Sequence, residues 1–260
     1  MNLRTAALAI AVVSLLVSAF ASAQTPVPAA SATPATSAAG QPNNDYRNKH
    51  EQQMLTDFPE LARFKDDDFK LGPPAPGENR VVFMGDSITQ GWHLDTSFPG
   101  KPYVNRGIGG QTTPQMLVRM FPDVIDLKPA AVIILAGTND ISHNTGPETP
   151  TMIEENLQAM TELAQVHGIK VVLCSITPIA DYGTNKMSEG RPPADILKIN
   201  AWMKAYAARA HAVYADYFSV VVDGAGFLKP GISKDGLHPN ADGYKLMAPV
   251  AEAALARALQ

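Results

Sequence analysis

The chain has 260 residues, with 21 Lys+Arg against 25 Asp+Glu, a formal net charge of −4 and one cysteine. Acids and bases are interspersed without a basic stripe, which excludes nucleic acid as the natural partner. A lone cysteine, Cys174, forbids an internal disulfide, so the apolar core alone must hold the fold together.

The chain opens "MNLRTAALAIAVVSLLVSAFASAQ". Arg4 precedes an apolar run, and Ala21-Ser22-Ala23 supplies small residues for cleavage, the pattern of a secretory signal peptide over residues 1–23. A retained membrane anchor is the competing reading; against it, the apolar run is short and carries no lipobox-type cysteine. The expectation is therefore a periplasmic or secreted protein with no stable membrane insertion after cleavage. Residues 24–43 are mostly Pro, Ala, Ser and Thr, without charge or large side chains. They cannot bury enough surface to offset their ordering entropy, and read as a disordered linker. Residues 44–260 remain for one folded domain.

Within that domain a helix is expected over about 45–64. Short apolar runs then alternate with helical patterns. The strand candidates are 80–85, 102–106, 130–136, 169–176 and 211–216, and the third and fourth are almost continuously apolar, as in strands buried on both faces of a parallel sheet. Helices are expected at 151–167, where Ile153, Leu157, Met160, Leu163 and Ala164 recur at three and four, and at 194–210 and 241–259. This alternation implies an α/β fold, a three-layer α/β/α sandwich with right-handed crossovers.

Ligands of such sheets bind beyond the carboxyl ends of the strands. The first strand is followed by Ser87, within "GDSIT"; the second runs into "GIGGQTT", containing Gly110. The third runs into "GTND", containing Asn139, and the fifth precedes "DGLHPN", containing Asp235 and His238. Each has a plain structural reading. Ser87 suits a helix cap, Asn139 a turn, and Asp235-Gly236 an ordinary turn pair. The glycines of the second loop weakly suggest dinucleotide binding, but Thr113 stands in the region where a third glycine is needed. Taken together, the four loops supply a hydroxyl nucleophile, a base with an orienting carboxylate, and amide donors for an oxyanion, which is what acyl transfer requires. Ser87 is the candidate nucleophile, His238 the base and Asp235 its orienting partner. The backbone N–H groups of Ser87 and Gly110 and the Asn139 amide are the candidate oxyanion donors.

"GDSIT", "GIGGQTT", "GTND" and "DGLHPN", in that order, resemble the four sequence blocks of the SGNH, or GDSL, hydrolases. The resemblance covers about residues 80–250. It implies a flavodoxin-like parallel five-stranded sheet of order 2-1-3-4-5. It also implies esterase or lipase activity with no metal or organic cofactor, and the same roles for Ser87, Gly110, Asn139, Asp235 and His238. The second block of that family often reads Gly-Asp-Thr-Thr; here Gln111 replaces the Asp, which touches the electrostatics of the loop. Ile88-Thr89 after the serine break the G-x-S-x-G elbow of the α/β-hydrolase fold.

Substrate is less legible. The polar segment 180–193 is expected to form part of the pocket wall, with Tyr182 and Arg191 facing a hydrophilic substrate; a solvated surface loop is the alternative. Trp92 is expected to pack beside the acyl pocket rather than merely cover the sheet. His93 and His143 show no metal-ligand spacing and read as structural or surface residues. The leading expectation is an esterase for short acyl groups, acetyl on carbohydrate among them, acting on small-molecule or carbohydrate acyl esters. A lysophospholipase or thioesterase is the enzymatic alternative. A silent carbohydrate- or envelope-binding module is the alternative of another class.

Overall fold

The computed structural model describes residues 44–182, 184 and 186–260. The expected signal peptide (1–23) and linker (24–43) lie outside the described residues. Five strands form one parallel sheet: β1 (Val81–Gly85), β2 (Tyr103–Gly107), β3 (Ala131–Leu135), β4 (Lys170–Cys174) and β5 (Val213–Ala215), in the order β2-β1-β3-β4-β5. This is the expected flavodoxin-like order, and each strand falls within its expected window to one or two residues. Register is set around β1, whose Gly85 pairs with Gly107 of β2 and Leu135 of β3.

The helices are α1 (Asn44–Thr56), α2 (Lys65–Leu71), α3 (Ser87–Gln90), α4 (Leu94–Ser97), α5 (Thr113–Val118), α6 (Thr138–Ile141), α7 (Pro150–Val166), α8 (Met187–Gly190), α9 (Pro193–Arg209), α10 (Tyr217–Val221) and α11 (Ala241–Ala258). A π-helical turn follows α5 at Phe121–Ile125. Among the described residues no helix is long and apolar enough to cross a membrane.

Side chains alternate across the strands, and both faces are covered. Val82, Met84, Val132, Ile134, Val171 and Leu173 share one core with Met116 of α5, Ile153, Leu157 and Met160 of α7, and Ile199 and Met203 of α9. Val81, Phe83, Ile133, Val172 and Cys174 face the other way, toward Tyr244, Met247, Ala251 and Leu255 of α11. Burial pushes the Cys174 thiol up to about 12, as suits an inert core residue.

One expected element differs. The helix anticipated over 45–64 stops at Thr56, and α2 begins separately at Lys65. Pro59 disfavours helical geometry at the residue before it. The Asp57 carboxylate then accepts the Leu61 N–H at 2.9 Å and the Ala62 N–H at 3.1 Å, closing a turn in which Glu60 has a left-handed φ of 57°. The segment between the two helices is thus a built loop rather than frayed helix.

Candidate active site

β1 ends at Gly85, and α3 starts two residues later. The Asp86 side chain caps α3 by accepting the Ile88 N–H at 2.9 Å, which sets Ser87 in the first turn at the sheet's carboxyl edge. Because β1 sits between β2 and β3, chain connections leave it in opposite directions. The crevice this opens is the usual place for a ligand in such sheets.

His238 comes from the loop before α11. Its Nε2 lies 2.9 Å from Ser87 Oγ, and its Nδ1 lies 2.5 Å from Asp235 Oδ2. Asp235 is fixed through its other oxygen, which accepts the N–H groups of Leu237 at 3.0 Å and His238 at 2.9 Å and the Ser233 hydroxyl at 3.1 Å. Gly236 makes this loop close: its φ is 85°, and a Cβ there would come within 2.0 Å of the Ala180 carbonyl oxygen. Burial alone would push the Asp235 carboxyl up. The hydrogen bonds from the His238 side chain and from the His238 and Leu237 backbone, with attraction to the imidazole, outweigh it and hold the carboxyl well below the usual carboxylate range. The His238 and Asp235 side chains are 44% and 43% exposed, so the pair is open to a substrate.

The donors expected for an oxyanion gather beside this pair. Ser87, Gly110, Asn139 and His238 line one cavity of about 540 Å³. Gly110 has φ 79°, which turns the second loop in a way a side chain would resist. Asn139 is held at both ends of its amide: Nδ2 donates to the Gln111 carbonyl at 3.0 Å, and Oδ1 accepts from Arg191 Nη2 at 3.2 Å. One Nδ2 hydrogen is thereby used and one is left for the cavity. Asp140, the next residue, accepts the Thr113 N–H at 2.8 Å and also the Thr113 hydroxyl, tying the third loop to the second.

Behind the cavity lies a buried polar network. Arg119 is fully buried and donates to Gln111 Oε1 at 2.6 Å, to Asp123 Oδ2 at 2.8 Å and to the Gly85 carbonyl at 3.0 Å. It links the end of β1, the second loop and the π-helical turn in one bracket.

The residues expected to meet substrate divide. Arg191 lines the Ser87 cavity but is already engaged, through Thr138 Oγ1 at 3.1 Å as well as Asn139. Trp92 and Tyr182 do not line that cavity. Trp92 is buried between Phe83, Phe98 and Tyr244, with its indole N–H donating to Ser97 Oγ at 2.9 Å. Tyr182 packs partly buried against the core on the α11 face of the sheet. Conversely, Glu60, Arg63 and Gln90 line the cavity and were not anticipated. Glu60 and Arg63 lie ahead of the four motif blocks, so only the fold shows that they reach the site. His93 is exposed, and His143 accepts the Glu148 N–H at 3.3 Å through Nδ1. Among the described residues no group of His, Cys, Asp and Glu is arranged to hold a metal ion.

A flavodoxin-like sheet that brings a hydroxyl, an imidazole and amide donors to one carboxyl-edge cavity defines a class: hydrolases that act on esters. Sequence comparison gives the family. Residues 83–246 match the GDSL-like Lipase/Acylhydrolase family, and the chain belongs to it. A solved structure from Bacteroides fragilis NCTC 9343, assigned as an acylhydrolase, is 41% identical with a TM-score of 0.74, covering 79% of this chain and 100% of that one. A GDSL-like lipase from Bacteroides thetaiotaomicron VPI-5482 is 38% identical with a TM-score of 0.73, covering 78% of this chain and 100% of that one. Esterase TesA of Pseudomonas aeruginosa is 28% identical over 61% of this chain and 79% of its own length. The chain spans only about half the length of two further relatives. These are lipoprotein YqeF of Bacillus subtilis (34% identical; 40% of this chain, 51% of YqeF) and an acetylxylan esterase of Xylanibacter ruminicola (28%; 70% and 44%).

Proposed function

We infer that the protein is an exported serine esterase that removes short acyl groups, acetyl on carbohydrate among them. The observation that carries the reading is the 2.9 Å approach of His238 Nε2 to Ser87 Oγ. In the proposed reaction Ser87 Oγ attacks the ester carbonyl while Nε2 takes its proton. The tetrahedral oxyanion is met by the Ser87 and Gly110 N–H groups and by Asn139 Nδ2. The C–O bond to the alcohol then breaks as the imidazolium returns the proton to the leaving oxygen. Water, deprotonated by the same imidazole, attacks the acyl-enzyme and frees the acid and Ser87. Asp235 orients the ring and stabilises its charged form.

Support for a short, polar ester comes from the cavity, whose wall includes Glu60, Arg63, Gln90 and Arg191 beside the nucleophile. The relative from Xylanibacter ruminicola, an acetylxylan esterase, points the same way. Export rests on the signal pattern of residues 1–23 and accords with a lipoprotein among the relatives. Residues 24–43 are taken as the linker and 44–260 as the hydrolase domain.

The test is hydrolysis of p-nitrophenyl esters from acetate to palmitate by the wild type and Ser87→Ala. Turnover that depends on Ser87 and peaks at acetate to butyrate is the expected result. A peak at long chains would replace the short-acyl reading with a lysophospholipase or thioesterase. Equal rates for the two proteins would leave a binding module.

A further inference from the structure

Gln111 sits in the second loop, and its contacts show what an amide does there. Its Oε1 accepts from Arg119, which a carboxylate could also do. Its Nε2 donates to the Pro59 carbonyl at 2.9 Å, which a carboxylate could not. One turn along, Gln115 Nε2 donates to the Phe58 carbonyl at 2.6 Å. Two glutamines of the second loop and α5 therefore hang the segment 57–64 beside the site, and Asp57 closes its turn from within. The segment lies outside residues 83–246 that match the family. It nevertheless puts Glu60 and Arg63 into the wall of the Ser87 cavity.

A second cavity of about 370 Å³ adjoins the first and shares Arg63 and Gln90 with it. Phe64, Tyr103 and Asp95 contribute to its walls, and Trp92 reaches it only from a buried position. Phe64 is braced from behind by the Arg106 guanidinium, 4.6 Å from the ring centre. Gln90 Oε1 is taken by the Gly109 N–H at 2.7 Å, which leaves its amide hydrogens for a ligand. None of the ion pairs among the described residues engages the Arg63 guanidinium.

We propose that this second cavity is the alcohol-side subsite, that it takes a sugar residue, and that Arg63 is its specificity-determining cation. This rests on the esterase reading above and adds the leaving group to it. The partly buried Phe64 and Tyr103 suit the apolar face of a pyranose, and a planar five-donor guanidinium with an amide and a carboxylate suits its hydroxyls. Because the two cavities share Arg63 and Gln90, the alcohol of an ester held at Ser87 can extend across that wall into the second cavity.

The experiment compares two acetyl esters with different alcohols, a mono-acetylated xylo-oligosaccharide and p-nitrophenyl acetate, in wild type, Arg63→Ala and Gln111→Glu. Arg63→Ala is expected to lower kcat/KM for the oligosaccharide at least tenfold more than for p-nitrophenyl acetate, mainly through KM. Gln111→Glu keeps the Arg119 contact but loses the donor to Pro59, and is expected to shift the same ratio threefold or more. In parallel, the deacetylated oligosaccharide is titrated calorimetrically into Ser87→Ala with and without Arg63→Ala, and tenfold weaker binding is expected without the arginine. A ratio unchanged within twofold, equal loss on both esters, or binding indifferent to Arg63 would each overturn the proposal. Turnover that survives Ser87→Ala would instead strike the esterase reading, and the binding arm would still decide the subsite.

Discussion

Arg191 Nη2 donates to Asn139 Oδ1 at 3.2 Å, and this contact decides which edge of the Asn139 amide faces Ser87. With Oδ1 held by a cation and one Nδ2 hydrogen on the Gln111 carbonyl, the amide cannot flip to present its oxygen to a developing oxyanion. Arg191 is 52 residues away in sequence and arrives on the segment after β4. Removing a direct oxyanion donor costs ~10²–10³ in rate, and loosening one costs less. Arg191→Ala is therefore expected to lower kcat by about tenfold with a smaller change in KM. The check is a cycle with Asn139→Ala: the two losses should not add, whereas additivity would make Arg191 an independent substrate contact.

In the proposed reaction Asp235 has the orienting role. Its folded-state pKa is depressed, so its contribution to stability is present above the ordinary carboxylate pKa and is lost only as pH falls through the depressed value, in strong acid. It therefore stays ionised through the ordinary carboxylate range. Asp235→Asn is expected to lower kcat by roughly 10²–10⁴, since the amide neither fixes the required tautomer nor stabilises the imidazolium. A kcat for Asp235→Asn within twofold of wild type would deny Asp235 the orienting role.

Most of the sheet was legible because buried parallel strands are written as apolar runs, and β3 and β4 are nearly pure examples. The motif residues were legible because they sit at the strand ends that the topology gathers. Less of the rest could be read, for physical reasons. α2, "KDDDFKL", has no buried residue and so no apolar period to detect. The four-residue helices α3, α4, α6 and α8 are one turn each, too short for a pattern. Glu60 and Arg63 reach the site through side-chain amide bonds to carbonyls, which leave no trace in hydropathy. Trp92 was expected in the acyl pocket from its nearness to Ser87, but α3 lies between them, and the indole turns into the aromatic cluster under α11.

Asp86 gives a stability prediction with a definite sign. Burial pushes its carboxyl up to about 6, against the Ile88 N–H and the charges of His238 and Arg191, which favour the ionised form. A raised carboxyl pKa means the folded state binds the proton more tightly. Its contribution is present in full below the ordinary value near 3.8 and is lost as pH rises through about 6. Asp86→Asn keeps an oxygen for the Ile88 N–H but removes the titration. The stability of the variant relative to wild type is expected to rise between pH ~4 and ~7 by up to about 3 kcal/mol, then level off. Urea unfolding of both proteins across that range measures it, and a difference independent of pH would show that Asp86 titrates normally.

Arg119 and Asp123 test how much of the site's rigidity is held from behind. Both are buried, and burial acts against both charges, pulling the arginine down and pushing the aspartate up, while their 2.8 Å contact opposes each shift. Such a pair is weak evidence for net stability, because desolvation offsets the attraction, but breaking it leaves a lone buried charge. Arg119→Met is expected to destabilise by about 3–5 kcal/mol, more than the double variant Arg119→Met/Asp123→Leu. The single variant also removes the Arg119 bonds to the Gly85 carbonyl and to Gln111 Oε1, leaving the Ile108 N–H on the Gly85 carbonyl at 3.0 Å as a remaining tie between β1 and the second loop. Activity in the double variant should therefore stay low even where stability recovers, because Gly110 and the Gln111 carbonyl under Asn139 lose their brace. Urea midpoints and kcat for wild type, single and double variants separate the two effects. Recovery of kcat in step with stability would show that the bracket supports the fold alone and does not position the donors.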